Sequence, residues 1–434
     1  MRAVILAAGE GKRLRPLTDS RPKHMIPVAG RPLIQHIIEA LRDNGVHKLT
    51  IVLGYQRETI ERYLFDGKDL GVEIDYVYQP RPQGTADAVM QLQNHLEEPR
   101  FLLLHGDIYV TPNAVREVVK VFDDTSFDAV VAVVKVKDQG RYGLVTIEDD
   151  SVKCIIEKPE AKSAGGAANA GLYIFERSIF NAVKKTSMSP RGELELTDSI
   201  THLVRQGLKA KAVLIDKEGW IDVGRPWDLL EANEKALAIL QPKVDGEVEN
   251  TATLIGPVTV GSGAKILSGS RVEGPTYIGE RSIIGPNCHI RPYTSIGQDV
   301  RVGNGCEVKS CIIMSHTKIP HQSYFGDSII GERCNFGAGT ITGNLRLDRK
   351  TIRMRIKGET IDSGRTKLGA IIGDDISTGV NVNFMPGVKV GSATFIGPGV
   401  TVHKDIPPKA EILMRQTIVR KRRRNQVKKV KEIG

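Results

Sequence analysis

Two hydrophobic textures divide the chain. Over residues 1 to about 235, short aliphatic runs alternate with amphipathic stretches. Ala3–Ala7, Lys48–Leu53, Ile74–Val77, Phe101–Leu104, Ala129–Val134 and Leu172–Phe175 have the length and β-branched content of buried strands. Leu33–Asn44 and Thr85–Leu96 carry apolar residues at helical spacing, and Pro226 to about Leu240 predicts a helix that closes this half. This alternation predicts a layered α/β domain with a mainly parallel sheet. Ligands of such sheets gather in the loops beyond the carboxyl ends of the strands.

Past Gln241–Asn250, which reads as a linker, the period changes. Leu254, Val260, Ile266, Val272, Ile278, Ile284, Ile290, Ile296, Val302 and Val308 recur every six residues without a slip, with glycine following at 261, 279, 285, 297 and 303. The period resumes at Ile372, Thr378, Phe384, Val390, Ile396 and Val402. Six-residue repeats predict a parallel β-helix, in which each hexad supplies one flat strand and points its aliphatic side chain into the prism. Three hexads make a coil, so Cys288 and Cys306 should stack as small buried side chains in neighbouring coils. The polar, basic stretch from about Thr340 to Ala370 breaks the period and reads as an excursion, a feature from which solenoids often build binding sites. The division expected is an α/β domain over 1–235, a linker over 236–250, a β-helix over 251–410 and a tail over 411–434.

Charge sharpens the picture of the tail. The 434 residues carry a formal +10, yet nine Lys/Arg against the single acid Glu432 place +8 of it between Arg415 and Gly434. Arg420–Arg424 and Lys428–Lys431 form this basic end, and the body is nearly neutral. No nucleic-acid module accompanies it, so no nucleic-acid partner is expected. No apolar run reaches the roughly 20 residues that span a bilayer, and Met1–Pro16 lacks the pattern of a signal peptide. Five cysteines without a CxxC pair argue against a disulfide framework or zinc site and suit a reducing cytoplasm.

Candidate chemistry begins in the first loop, Ala8-Gly9-Glu10-Gly11-Lys12-Arg13-Leu14-Arg15-Pro16-Leu17-Thr18, followed by Arg21-Pro22-Lys23. Glycines let backbone N–H groups approach a polyphosphate, and cations neutralise charge developing during phosphoryl transfer. The loop is neither a P-loop nor the dinucleotide-binding GxGxxG. Asp107 and Asp222, from separate loops, are hard oxygen donors suited to Mg²⁺. No Ser-His-Asp or Cys-His set suggests covalent catalysis.

Gly-x-Gly-x-Arg-Leu-x-Pro-x-Thr followed by Pro-Lys resembles the signature of the sugar-1-phosphate nucleotidylyltransferases, whose Rossmann-like domain the rest of 1–235 resembles loop by loop. The resemblance implies nucleotide and phosphate binding by Ala8, Gly9, Gly11, Gln79, Gln83, Gly84 and Thr85, with the Gln79–Ala86 segment reading a pyrimidine base. It implies sugar-phosphate binding by Gly143, Glu157, Lys158 and Asn169, with Mg²⁺ held by Asp107 and Asp222. Arg13 would face the α-phosphate and departing pyrophosphate, Lys23 the α-phosphate and Lys158 the sugar phosphate.

In the second half, His321-Gln322-Ser323-Tyr324-Phe325-Gly326-Asp327, then Gly337-Ala338-Gly339-Thr340 and Asn344, resembles the acetyltransferase half of the bifunctional glucosamine-1-phosphate N-acetyltransferase/N-acetylglucosamine-1-phosphate uridylyltransferases. The resemblance covers the whole chain in the same order. It implies a left-handed β-helix, acetyl-CoA as co-substrate and His321 as general base. Tyr324, Asn344 and Lys350 match positions that hold the acceptor sugar and its phosphate, with Arg291 and Lys309 at further phosphate-binding positions. His316 is a rival base whose spacing to Tyr324 does not fit. Bacterial members commonly carry Asn-Tyr where this chain has Asn344-Leu345, and the basic Arg346–Arg355 looks more like archaeal members. UTP or dTTP, and glucosamine- or galactosamine-1-phosphate, stay open as substrates. A homotrimer is implied by resemblance alone. A monofunctional glucose-1-phosphate nucleotidylyltransferase with a structural β-helix is the alternative.

Overall fold

A computed structural model describes residues 1–136, 141–157 and 166–417. Nine strands build the sheet of the first half, in the order Glu73–Tyr78, Lys48–Leu53, Arg2–Ala7, Arg100–His105, Gly166–Glu176, Ala129–Val136, Ala210–Leu214, Ser151–Glu157, Gly143–Glu148. Side chains alternate across it into two cores. Ala3, Ile5 and Ala7 face the helices Leu33–Arg42 and Pro112–Val119, while Val4 and Leu6 face Thr85–Met90, Ile179–Lys184 and Leu196–Arg205. Burial on both faces is why these strands read as continuous apolar runs.

The sheet is parallel through its first four strands and again where Ala210–Leu214 pairs with Ala129–Val136. Gly166–Glu176 runs antiparallel to both of its neighbours. Gly143–Glu148 and Ser151–Glu157 form a hairpin at the far edge. Its two-residue turn, Asp149-Asp150, has φ of 46° and 61°. Such a turn matches the twist of antiparallel strands and needs no crossover helix. The helix expected over Thr85–Leu96 ends at Met90, with turns beyond.

The second half coils into three stacked parallel sheets. Thr253 pairs with Arg271, Arg271 with His289 and His289 with Glu307. Cys288 and Cys306 lie in neighbouring coils, both buried, and burial pushes the Cys288 thiol up to about 12. The stretch read as a linker already carries two short strands: Lys243 pairs with Thr259 and Glu247 with Lys265. After Val308 the repeat shortens by one residue, so that Ile296 pairs with Ile313 and Ile313 with Ile330. The excursion leaves after Thr342 and returns before Ile371, carrying a hairpin of Arg353–Ile356 against Glu359–Asp362.

The halves share a fourth core. Ile313, Ile330 and Ile372 point into the prism, while their neighbours Ile312, Ile329 and Ile371 point outward against Leu14, Leu17, Val223 and Trp227. Asn233, on the helix Pro226–Ala238, accepts from the Ala29 amide at 2.8 Å and donates to the Tyr293 carbonyl at 3.0 Å, tying both halves. Among the described residues, no helix is long and apolar enough to cross a membrane.

Candidate active sites

The cleft of the α/β half, about 500 Å³, opens at the carboxyl ends of the parallel strands. Its floor is the loop after Arg2–Ala7, where Thr18 Oγ1 donates to the Gly11 carbonyl at 3.1 Å and draws the loop closed. Ala8, Gly9, Gly11, Arg13 and Lys23 all line the cleft. The strands Ile108–Val110 and Trp220–Asp222 pair antiparallel, with Asp222 opposite Ile108. The Val223 amide donates to the Asp107 carbonyl at 2.9 Å. This pairing gathers two distant aspartates at one edge, and Lys23 Nζ donates to Asp107. Arg13 stands beside Gly224: a Cβ there would lie 3.2 Å from its Nη1.

The electrostatics separate the two carboxyls. Burial would raise Asp107, but the Lys23 ammonium outweighs it and holds the group below its ordinary value. Asp222 is raised, first by burial and then by the charge of Asp107. Two half-buried, mutually repelling carboxylates form a hard-oxygen donor set that a divalent cation relieves. The described residues contain no cluster of three or more such ligands, so water and substrate phosphate would complete the shell. Asp107 and Asp222 therefore fit Mg²⁺ in number and chemistry.

On the opposite wall, Gly84 has φ of 128°, and a Cβ there would collide with the Leu194 backbone, so only glycine seats this loop. Leu194 N donates to the Gln83 carbonyl at 2.7 Å, and Leu196 N to Thr85 Oγ1 at 2.9 Å. Gln79 is buried, its amide donating to Asp87 at 2.6 Å. Gln79, Gly84 and Thr85 line the cleft, whereas exposed Gln83 does not. Gly143, Glu157 and Asn169 line it too. Asn169 Nδ2 donates to Tyr173 Oη at 2.6 Å, and Glu157 pairs with Arg191 at 3.1 Å. Lys158 lies outside the described residues, as does the basic run after Thr417.

Arg141 is a lining residue that sequence reasoning passed over. It pairs with Asp228 at 2.8 Å and lies over the Tyr142 ring, which in turn packs on Trp220. Burial pushes Asp228 up to about 6 against the pull of Arg141. The signal was at hand, since Arg141 directly precedes Tyr142-Gly143. Lys357, from the excursion of the β-helix, also lines this cleft.

A second cluster stacks along one corner of the β-helix. Glu307, Tyr324 and Ile341 occupy one register, and Lys309 pairs with Gly326. Asp327, buried at a φ of 48°, accepts from Asn344 Nδ2 at 2.5 Å and Lys309 Nζ at 3.4 Å. Asn344 also donates to Tyr324 Oη at 3.1 Å. Arg291 pairs with Glu307 at 2.8 Å. Asp327, quoted in the motif without a role, is thus the hub of this cluster. His321 is exposed at the preceding turn. Its carbonyl accepts from Ser323 Oγ at 2.7 Å, but its ring makes no hydrogen bond or ion pair with any described residue. Lys350 is exposed, with its amide on Asp348 at 3.2 Å and its ammonium in no ion pair with any described residue. The structure therefore joins Lys309 and Asn344 through Asp327, with Tyr324 on Asn344, and leaves His321 and Lys350 at the rim. His316 faces Asp299 at 3.8 Å.

The family model described as nucleotidyl transferase matches residues 2–239, and the model described as GMPPB C-terminal domain matches residues 272–383. The bifunctional protein GlmU of Methanocaldococcus jannaschii is 41% identical over 96% of this chain and 99% of its own. A bifunctional sugar-1-phosphate nucleotidylyltransferase/acetyltransferase of Sulfurisphaera tokodaii is 39% identical over 94% of this chain and 98% of its own. Among solved structures, one described as a glucose-1-phosphate thymidylyltransferase from Bacillus anthracis superposes with a TM-score of 0.50 at 28% identity, covering 56% of this chain and 98% of that one. Identity sustained through both halves and nearly the full length of both chains places the protein in the nucleotidyl transferase family and, within it, among the GlmU-type bifunctional proteins.

Proposed function

We infer that the protein is a bifunctional transferase of UDP-N-acetylhexosamine synthesis. Its β-helix, read as left-handed, acetylates glucosamine-1-phosphate or galactosamine-1-phosphate with acetyl-CoA. Its Rossmann-like half joins the N-acetylhexosamine-1-phosphate to UTP, or to dTTP, and releases pyrophosphate. The observation that carries this reading is the pairing of Ile108–Val110 with Trp220–Asp222, which sets two half-buried aspartates under a glycine-rich loop beside Lys23 and Arg13.

The sugar phosphate attacks the α-phosphorus in line, so no protein nucleophile is required. Lys23 and Arg13 offset the charge on the phosphates as pyrophosphate departs. A Mg²⁺ ion bound by Asp107 and Asp222 would supply further neutralisation of the triphosphate. Gln79 and the Gly84–Thr85 backbone hold the base, while Gly143, Glu157, Lys158 and Asn169 hold the sugar phosphate. In the β-helix, Lys309 and Arg291 receive the acceptor phosphate. Tyr324, Asn344 and Lys350 orient the sugar, and the unpartnered His321 ring takes a proton from the amine as nitrogen attacks the thioester and CoA leaves as the thiol. The absence of a membrane-spanning helix among the described residues fits a cytoplasmic enzyme. We take the working division as 1–235, 236–250, 251–410 and 411–434, and the assembly as a trimer with a CoA site shared between neighbours.

Two assays on one preparation test this. Acetyl-CoA with glucosamine-1-phosphate should release free thiol, and UTP with N-acetylglucosamine-1-phosphate should release pyrophosphate. Pyrophosphate without thiol release for either amino sugar would reduce the β-helix to a structural role.

A further inference from the structure

The excursion from the β-helix is a clamped strap. At its base the Leu368 amide donates to the Asn344 carbonyl at 3.0 Å, and Leu345 bridges to Lys367. Beyond, the Ile352 amide donates to the Arg365 carbonyl at 2.9 Å, and the Arg365 guanidinium pairs with Glu234 of the other half at 2.8 Å. Ile352, Met354 and Ile356 of the hairpin are buried in the core shared by the two halves, with Leu14, Leu17, Val223 and Trp227. The tip is therefore set by packing on the α/β half.

That tip is Lys357-Gly358, with φ of 49° and 89°. Two left-handed residues closing a two-residue loop make a type I′ turn, where glycine, asparagine and aspartate are favoured and a lysine is not. Lys357 lines the cleft that also contains Gly9, Gly11, Arg13, Asp107 and Asp222. Its ammonium makes no hydrogen bond or ion pair with any described residue. Glu10, the acid nearest the mouth of the loop, is held by Lys12 at 3.0 Å and Arg15 at 2.5 Å. An unpaired cation fixed at the edge of an anion-binding cleft has an evident class of ligand.

We propose that Lys357 is a phosphate-binding residue of the nucleotidyl-transfer site, contributed by the β-helix half, and that it meets the pyrophosphate end of the nucleoside triphosphate. This rests on the nucleotidyl-transfer reading above. The hairpin's Met354 and Ile356 share a buried core with Leu14 and Leu17, directly after the glycine-rich loop, and with Val223, directly after Asp222. These are the loops read as holding the triphosphate.

Calorimetric titration of the full chain with inorganic pyrophosphate in magnesium buffer tests the proposal, together with steady-state pyrophosphate release from UTP. Losing one charge-assisted contact in Lys357→Ala should weaken pyrophosphate binding and raise the KM for UTP by about ten-fold. The KM for the sugar phosphate, thiol release from acetyl-CoA and the thermal midpoint should not change, and Lys357→Arg should recover most of the affinity. Unchanged pyrophosphate affinity and UTP KM in Lys357→Ala would overturn the proposal, as would a loss confined to the sugar phosphate. Wild-type protein that neither binds pyrophosphate nor turns over UTP would remove the underlying reading as well.

Discussion

Within the joint between the two halves lies a buried ion pair whose removal has a calculable cost. Arg21 is 7% exposed. Its Nη2 meets Asp374 at 2.5 Å and its Nη1 meets Glu332 at 2.9 Å, both on the β-helix. Asp374 also accepts from the Ser20 hydroxyl and, at 2.8 Å, from the Glu332 amide. Asp374→Ala strands a desolvated guanidinium, which typically costs about 3–5 kcal/mol. Glu332 remains as a partner and its side chain is 29% exposed, so the low end, about 3 kcal/mol, applies here. For domains of roughly 200 residues this lowers the unfolding midpoint by about 6–12 °C, which scanning calorimetry would record. Arg21→Met combined with Asp374→Ala removes the stranded charge as well, so the pair of changes should lose no more than Asp374→Ala alone. Because Pro22 stiffens the step from Arg21 to Lys23, pyrophosphate release from UTP should also fall several-fold in Asp374→Ala. A midpoint loss equivalent to less than about 1 kcal/mol, the range of an exposed pair, would refute the reasoning.

Asp222→Asn should lower UTP turnover by at least about a hundred-fold without lowering the thermal midpoint, since it removes a half-buried charge that Asp107 repels; a variant that keeps its turnover would dismiss Asp222 as a metal ligand. His321→Ala should cut thiol release from acetyl-CoA by about 10²–10⁴-fold while leaving UTP turnover intact, and acetylation at the wild-type rate would dismiss His321 as the base. Asp228, raised from 3.8 to about 6, gives two pH effects of opposite sign. Below about pH 6 it takes up a proton and loosens Arg141, so the kcat/KM for the sugar phosphate should fall on an acid limb. In the folded state it holds a proton that the unfolded chain loses near 3.8, so its contribution to stability is present below that value and is lost as pH rises through about 6. Asp228→Asn should flatten the acid limb, and a limb with the same midpoint in that variant would assign the titration elsewhere.

The readable parts of the sequence were those whose burial is periodic. Lys48–Leu53 was legible because both faces of that strand are covered, and the hexads because one aliphatic residue in six enters the prism. The hairpin of Gly143–Glu148 and Ser151–Glu157 was not, since Ser151-Val152-Lys153-Cys154 carries too little apolar signal and its turn is Asp149-Asp150 in place of glycine. In the site, residues in short contiguous motifs such as Gly9–Arg13 came through, and Arg141 stood beside one such motif, whereas Lys357 depends on tertiary placement. Lys357 reaches the cleft because Met354 and Ile356 share one buried core with Leu14 and Trp227, segments far apart in the chain. The doublets Ile312-Ile313, Ile329-Ile330 and Ile371-Ile372 did encode the docking face, as a second aliphatic residue beside each inward one.

The breaks in the six-residue period, more than the period itself, locate the chemistry of the β-helix. From Val308 to Ile313 and from Phe325 to Ile330 the step is five residues, and each shortened corner turns through one left-handed residue, Ser310 at 49° and Asp327 at 48°. Lys309 and Asp327 sit on those corners, so shortening presents their side chains side by side in successive coils. One coil further on, the same corner opens into the strap, whose first residues include Asn344, the third member of that cluster. The next strands along the chain are the doublets whose outer isoleucines carry the α/β half. The Lys309–Asp327–Asn344 cluster, strap and domain joint thus occupy one edge of the solenoid. A β-helix of uniform hexads would have no room for Asn344 to meet Asp327, and no segment to carry Lys357 across to the other cleft.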